Sequence, residues 1–234
     1  MNKRVRCILF DYGGTLDAPG EHWSHLISRA WTAAGADIPH EEFRRIYVLA
    51  ERELATAGAV AADDNFLSLM RKKIALENTF LSPPFPADIC EHVAADCYHI
   101  ARRNIQEVNP ILEHIAAEVP VGIVSNFYGN LRAVLADMDI LNIFSAVTDS
   151  GEAGMRKPDR RIFTEALSRI DPRLTPSEAL MVGDSIDKDI IPAHSLGFKT
   201  ALLPGIPWDP ASPQPRLPAE TIQISSIAEI LRYL

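Results

Sequence analysis

Residues 5–17 read VRCILFDYGGTLD, and this stretch decides the fold. Val5 to Phe10 is a short, branched, apolar run, the composition of a strand buried on both faces. The run stops at Asp11, and Gly13-Gly14 then makes a tight turn whose backbone can approach a ligand closely. Two similar runs follow, Val119 to Val124 and Ala179 to Val182, ending in the polar clusters Ser125-Asn126 and Gly183-Asp184-Ser185. Apolar strands with polar carboxyl ends predict a parallel sheet covered on both faces, with a ligand site beyond those ends. Thr200 to Leu203 and Thr221 to Ile224 are weaker strand candidates.

Between the first two strands the period changes to that of helices. Trp23, Leu26, Ile27, Ala30, Trp31 and Ala34 form one apolar stripe; Phe43, Ile46, Tyr47, Ala50 and Leu54 form a second. Phe66, Leu69, Met70 and Ile74 form a third, and Ile89, Val93, Cys97 and Ile100 a fourth. Four such helices can bury one another's stripes as a small bundle. Asn109-Pro110 is then expected to open a helix leading back to the sheet. The six prolines between Pro204 and Pro218 predict a surface loop, and Ser225 or Ser226 is placed to cap a final helix over 227–234. The expected architecture is an α/β core of residues 1–17 and 105–234, interrupted by an α-helical cap of residues 18–104.

A formal net charge of −8 argues against nucleic acid as the main partner, though a local cation can still hold a phosphate. No apolar run approaches a membrane span, so no membrane partner is expected. The basic N-terminus precedes only a short apolar run that ends in aspartate, which reads as a strand rather than a signal peptide, and the chain as cytoplasmic. Cys7, Cys90 and Cys97 are too few and too scattered for a disulfide framework. Oligomeric state is not encoded in any pattern found.

The chemistry sits at the strand ends. Asp11 and Asp184 each follow a buried strand, and Asp189 lies in the same GDSIDKD segment as Asp184. Carboxylates gathered at one point repel unless a cation neutralises them, and sparse oxygen ligation suits Mg²⁺. Asp184 reads as a metal ligand, while Asp189 either binds metal or orients a ligand or metal-bound water. Asp187 reads as an acid serving the helix dipole. Ser125 and Asn126 offer a hydroxyl and backbone N–H groups for phosphate oxygens. Lys157, in GMRKPD, can neutralise both a nucleophile and a bound phosphate, whereas Arg156 reads as a solvated charge.

FDYGGTL, VSN, RKP and GDSIDKD, in this order, resemble the four motifs of the haloacid dehalogenase superfamily, and the helical insertion is similar to that family's C1-type cap. The resemblance covers the whole chain. It implies a Rossmann-like core and a phosphatase of a small phosphorylated metabolite, acting through an aspartyl-phosphate. It also implies Asp11 as nucleophile and Lys157 as the stabiliser of nucleophile and transferring group. Gly14, Thr15, Ser125, Asn126 and Lys157 would surround the substrate. Asp11, the Gly13 carbonyl and Asp184, supported by Asp189, would hold Mg²⁺.

One position departs from that pattern. Phosphatases of the superfamily usually carry an acid–base aspartate two residues after the nucleophile, and here Gly13 stands there. Three readings follow: Asp17, Glu21, His22 or His25 substitutes; the substrate is an acyl phosphate with a good leaving group; or the site only binds a phosphate or metabolite. Relatives lacking that aspartate include dehalogenases, with tyrosine, and phosphonate hydrolases, with alanine and a cap lysine that forms a Schiff base. Lys72 and Lys73 are lysines of the cap, and the RKK run around them reads as a solvated face.

Overall fold

The first apolar run becomes β1, Cys7–Phe10, and it lies inside a parallel sheet. The structure is a computed structural model that describes residues 4–56, 58–206, 213 and 215–234. The other strands are β2 (Val121–Ser125), β3 (Ala146–Asp149), β4 (Ala179–Gly183), β5 (Lys199–Leu202) and β6 (Ile222–Gln223). Their order is β3-β2-β1-β4-β5-β6, and every pair is parallel. In β1, Ile8 stands beside Val121 of β2 on one side and Leu180 of β4 on the other. The carboxyl ends of β1, β2 and β4 therefore meet on one edge, which places Asp11, Ser125 and Asp184 together.

Alternation along β1 feeds two cores. Ile8 and Phe10 join a large cluster shared with the helical insertion, while Cys7 and Leu9 face a smaller cluster with Phe163, Ala166, Met181 and Phe198. The strand β3 was not foreseen, since its sequence AVTD has two apolar residues and too short a run to register.

The insertion forms α1 (Trp23–Ala33), α2 (His40–Leu54), α3 (Phe66–Thr79) and α4 (Ala87–Glu118). All five predicted residues of the α2 stripe are buried. Pro110 does not open a helix: α4 runs without a break from Ala87 to Glu118 with the proline inside it. A proline there removes one i→i−4 hydrogen bond. The helix persists because Ile105, Val108, Leu112 and Ile115 on both sides of it stay packed. The remaining helices are α5 (Leu131–Asp137), α6 (Ser150–Ala153), α7 (Arg161–Ile170) and α8 (Ile191–Ser195), the last preceded by a π-helical turn over Ile186–Ile190.

The last predicted helix is instead a run of 3₁₀ turns, Ile227–Tyr233. Ser226 stands at its cap without a side-chain capping bond, and the Ser225 hydroxyl bonds Glu229. Residues 207–212 and 214 of the predicted proline loop lie outside the described residues. Among the described residues no helix is long and apolar enough to cross a membrane.

Gly122 lies in buried β2, where a Cβ would meet Ile170 Cδ1 at 2.8 Å and Leu9 Cδ2 at 3.0 Å. Gly122→Ala should therefore overpack the sheet–α7 contact and lower stability by about 1–3 kcal/mol, read from urea unfolding midpoints.

Candidate active site

Asp11 follows β1 directly, and its N–H donates to the Val182 carbonyl at 2.9 Å, which ties it to β4. Its Oδ1 accepts from Lys157 Nζ at 2.7 Å and from the Ser125 hydroxyl at 2.8 Å. No described residue hydrogen-bonds its Oδ2. The carboxylate is thus fixed through one oxygen and presents the other. Gly14 follows in a left-handed conformation, φ +84°, and a Cβ there would meet Asp184 Oδ2 at 2.6 Å. Glycine is required twice over, by the turn and by the approach of Asp184.

Lys157 is buried between two carboxylates, its Nζ also 2.6 Å from Asp189 Oδ1. Burial alone would depress the ammonium, but Asp11 and Asp189 outweigh it and hold the pKa above the usual lysine range. Asn126 fastens this lysine: its Nδ2 donates to the Lys157 carbonyl at 3.0 Å and its Oδ1 accepts from the Lys157 N–H at 2.7 Å. The Asn126 side chain is therefore engaged by backbone, while the residue itself lines the cavity. Asp149, at the end of β3, accepts from the N–H groups of Gly129, Leu131 and Gly151 and so shapes the loop after β2. Sequence reasoning missed Asp149 together with its strand.

Asp11, Asp184 and Asp189 bring oxygen atoms within 4.8 Å of one another. Burial, then Asp11, then Asp189 push the Asp184 carboxyl well above the ordinary aspartate range. Three carboxylates facing one ammonium fit a site that takes a further cation. Thr15 is wholly buried and its hydroxyl approaches Asp184 Oδ1 at 3.4 Å, a long contact that aligns the carboxylate. Both Asp189 oxygens are engaged, Oδ1 by Lys157 and Oδ2 by the Ser185 N–H at 3.1 Å. Asp187 is exposed and Arg156 likewise, as expected.

These groups open into a cavity of about 660 Å³ whose far wall belongs to the helical insertion. Asp17, His22, Trp23, Tyr47, Glu51 and Lys73 line it together with Asp11 and Gly13. A Cβ on Gly13 would meet nothing within 4 Å, so the position leaves open space. Asp17 is buried, its Oδ1 accepting from the Gly14 N–H at 2.9 Å and its Oδ2 from Trp23 Nε1 at 2.8 Å. Burial pushes its pKa up to about 7 against those two donors. His22 is pressed down to about 3 by burial, then by Lys188 and Lys73, so it is neutral near pH 7. Glu21 pairs with Arg29, and neither Glu21 nor His25 lines the cavity.

Lys73 is a correction. It does not lie on a solvated face but is 3% exposed, in the cavity wall, with Glu51 as its ion-pair partner. It occupies the inner side of α3, one turn after Met70 of the predicted stripe, so charge concealed its burial. Lys72 does face outward and pairs with Asp64. Glu51 and Tyr128 also line the cavity and gave no sequence signal, because neither belongs to a motif.

The model of the haloacid dehalogenase-like hydrolases matches residues 5–197. A ribulose-1,5-bisphosphate 5-phosphatase from Halopiger xanaduensis is 31% identical over 72% of this chain and 70% of its own length. A phosphoserine phosphatase from Thermus thermophilus is 39% identical over 37% of this chain and 35% of its own. Several further relatives are matched over 28% to 56% of their length. The magnesium-bound hydrolase YfnB from Bacillus subtilis shares the fold with a TM-score of 0.56 and 18% identity, over 98% of both chains. The chain belongs to the haloacid dehalogenase-like hydrolases.

The buried Asp17 has a linkage consequence. Its folded pKa, about 7, exceeds the ordinary aspartate value of 3.8, so ionisation costs the folded state stability as pH rises from about 4 to 7. Asparagine cannot ionise. The stability of Asp17→Asn relative to wild type should therefore rise across that window and level off above pH 7, measured by urea unfolding in metal-free buffer.

Proposed function

We propose that this hydrolase is a Mg²⁺-dependent phosphatase of a small phosphorylated metabolite, with Asp11 as nucleophile and Asp17 as the proton-transfer group that Gly13 cannot be. The observation that carries this reading is the fixation of Asp11 Oδ1 by Lys157 and Ser125 in a cavity bordered by Asp17. The phosphatases among the relatives support the reaction class.

The Asp11 carboxylate attacks phosphorus, and the bond to the leaving oxygen breaks. Asp17, with a carboxyl pKa raised to about 7, gives its proton to that oxygen. The Asp17 carboxylate then takes a proton from water, whose oxygen displaces Asp11 and releases phosphate. Lys157 balances charge on Asp11 and on the phosphoryl oxygens throughout, and the Ser125 hydroxyl and the Gly14-Thr15 turn adjoin the same oxygens. Asp11, Asp184 and the Gly13 carbonyl would hold Mg²⁺, which supplies further charge neutralisation when bound. Asp189, with both oxygens engaged, positions Lys157 and Ser185. The helical insertion covers the site and limits access of water.

Phosphate release should require Mg²⁺, stop with EDTA, and fall to background in Asp11→Asn. Asp17→Asn should lower kcat about 10²–10⁴-fold for alkyl phosphates, but far less for acyl phosphates, whose leaving groups need little acid help. Equal losses on both classes would remove Asp17 from proton transfer. Binding of phosphate esters with no turnover of any class would instead support a binding protein.

The place of Lys73 in the cavity wall favours a second reading, carbon–phosphorus cleavage through an imine on that lysine. Burial lowers its pKa to about 8 against the opposing effect of Glu77, so the amine stays mostly protonated near pH 7. Borohydride treatment with a phosphonate aldehyde should leave the protein mass unchanged, and an adduct lost in Lys73→Met would reverse the preference.

A further inference from the structure

The cap side of the cavity holds a polar cluster that the reaction at Asp11 does not use. Lys73 of α3 makes an ion pair with Glu51 of α2, and its Nζ stands 4.0 Å from the centre of the Tyr47 ring. The second Glu51 oxygen accepts from the Tyr128 hydroxyl at 2.8 Å, across to the loop after β2. Behind this pair Glu77 is buried, one oxygen accepting from Trp31 Nε1 at 2.8 Å and the other without a partner. Trp23, Phe66 and Phe127 supply apolar walls beside the pair.

The Lys73–Glu51 pair in this chamber is charge-balanced. One ammonium faces Glu51 directly and Glu77 behind it. Arg156 and Lys188 also line the cavity, but both are exposed, where water and salt weaken them. A second phosphate or a carboxylate in the chamber would be desolvated beside Glu51, with the lysine already committed to it. A hydroxyl group meets no such penalty. It accepts from one of the remaining Lys73 N–H groups and donates to a lone pair of Glu51 at once. Adjacent hydroxyls on one carbon chain repeat that pattern, and the aromatic walls cover their C–H faces.

We infer that Lys73 and Glu51 are specificity-determining residues that read a neutral, polyhydroxylated moiety, so that the substrate is a sugar or polyol monophosphate. This rests on the phosphatase reading above. Tyr128 is the positioning residue, since it holds Glu51 from the core side and couples the chamber to the loop that follows Ser125.

The test uses the full chain with Mg²⁺ and compares kcat/KM for pentose and hexose monophosphates, the matching bisphosphates, phosphoserine and acetyl phosphate. Wild type should turn over sugar monophosphates at least tenfold faster than bisphosphates or phosphoserine. In Lys73→Met, and in the less buried Glu51→Gln, the ratio of sugar monophosphate to acetyl phosphate kcat/KM should fall at least tenfold. A preference for bisphosphate or phosphoserine, or a ratio unchanged in folded Glu51→Gln, overturns the inference. Calorimetric binding of the same ligands to Asp11→Asn separates the two readings. If no phosphate is released from any compound, the phosphatase reading fails. Sugar monophosphate affinity that still drops tenfold on adding Glu51→Gln then keeps the chamber's assignment, and unchanged affinity ends it.

Discussion

The structure turns on one buried ammonium. Lys157 stands between Asp11 and Asp189, so a single charge joins the end of β1 to the segment after β4. A lysine with almost no exposure survives only if its charge is met by well-placed partners, and removing both carboxylates would leave an uncompensated ion. Asn126 fixes the lysine's backbone from the end of β2, which brings the third strand into the same arrangement. The sheet order puts these ends side by side; the ion pairs set their spacing.

The helical insertion is tied to the sheet side of the cavity at three points. Trp23, the first residue of α1, donates to Asp17, so a helix of the cap holds a carboxyl of the core turn. Asn104 of α4 donates to the Asp17 carbonyl at 2.7 Å, a second tie between the same parts. Tyr128 and Glu51 make a third. Displacement of the insertion would therefore change the surroundings of Asp17 as well as the volume of the cavity. Gly13 leaves open space, and a buried carboxyl four residues later, Asp17, lines the same cavity.

Much of the site was legible because its residues sit where periodic patterns break. Asp11, Ser125 and Asp184 each end an apolar run, and a charge at the end of a buried strand stands out against its neighbours. Lys157 was legible by motif alone, and Asp17 only as one of four candidates. Lys73 and Glu51 were hidden because a charged residue on an amphipathic helix is ordinarily solvated, and nothing local reveals which lysine of RKK turns inward. Pro110 misled for a related reason: local preference favours a helix start, while packing on both sides carries α4 through it.

By itself the sequence determined the parallel sheet, the helical insertion and the polar groups gathered at the strand ends. Those follow from hydrophobic period and from residue types at the points where it stops, both local properties of the chain. Only the tertiary structure decided that Asp17 is buried and lines the cavity, that the Asn126 side chain holds the Lys157 backbone, and that Lys73 faces the cavity. Each of these depends on burial and on partners far apart in sequence, such as the 114 positions between Asp11 and Ser125. Desolvation and pairing across such separations arise only when the sheet closes and the cap packs over it.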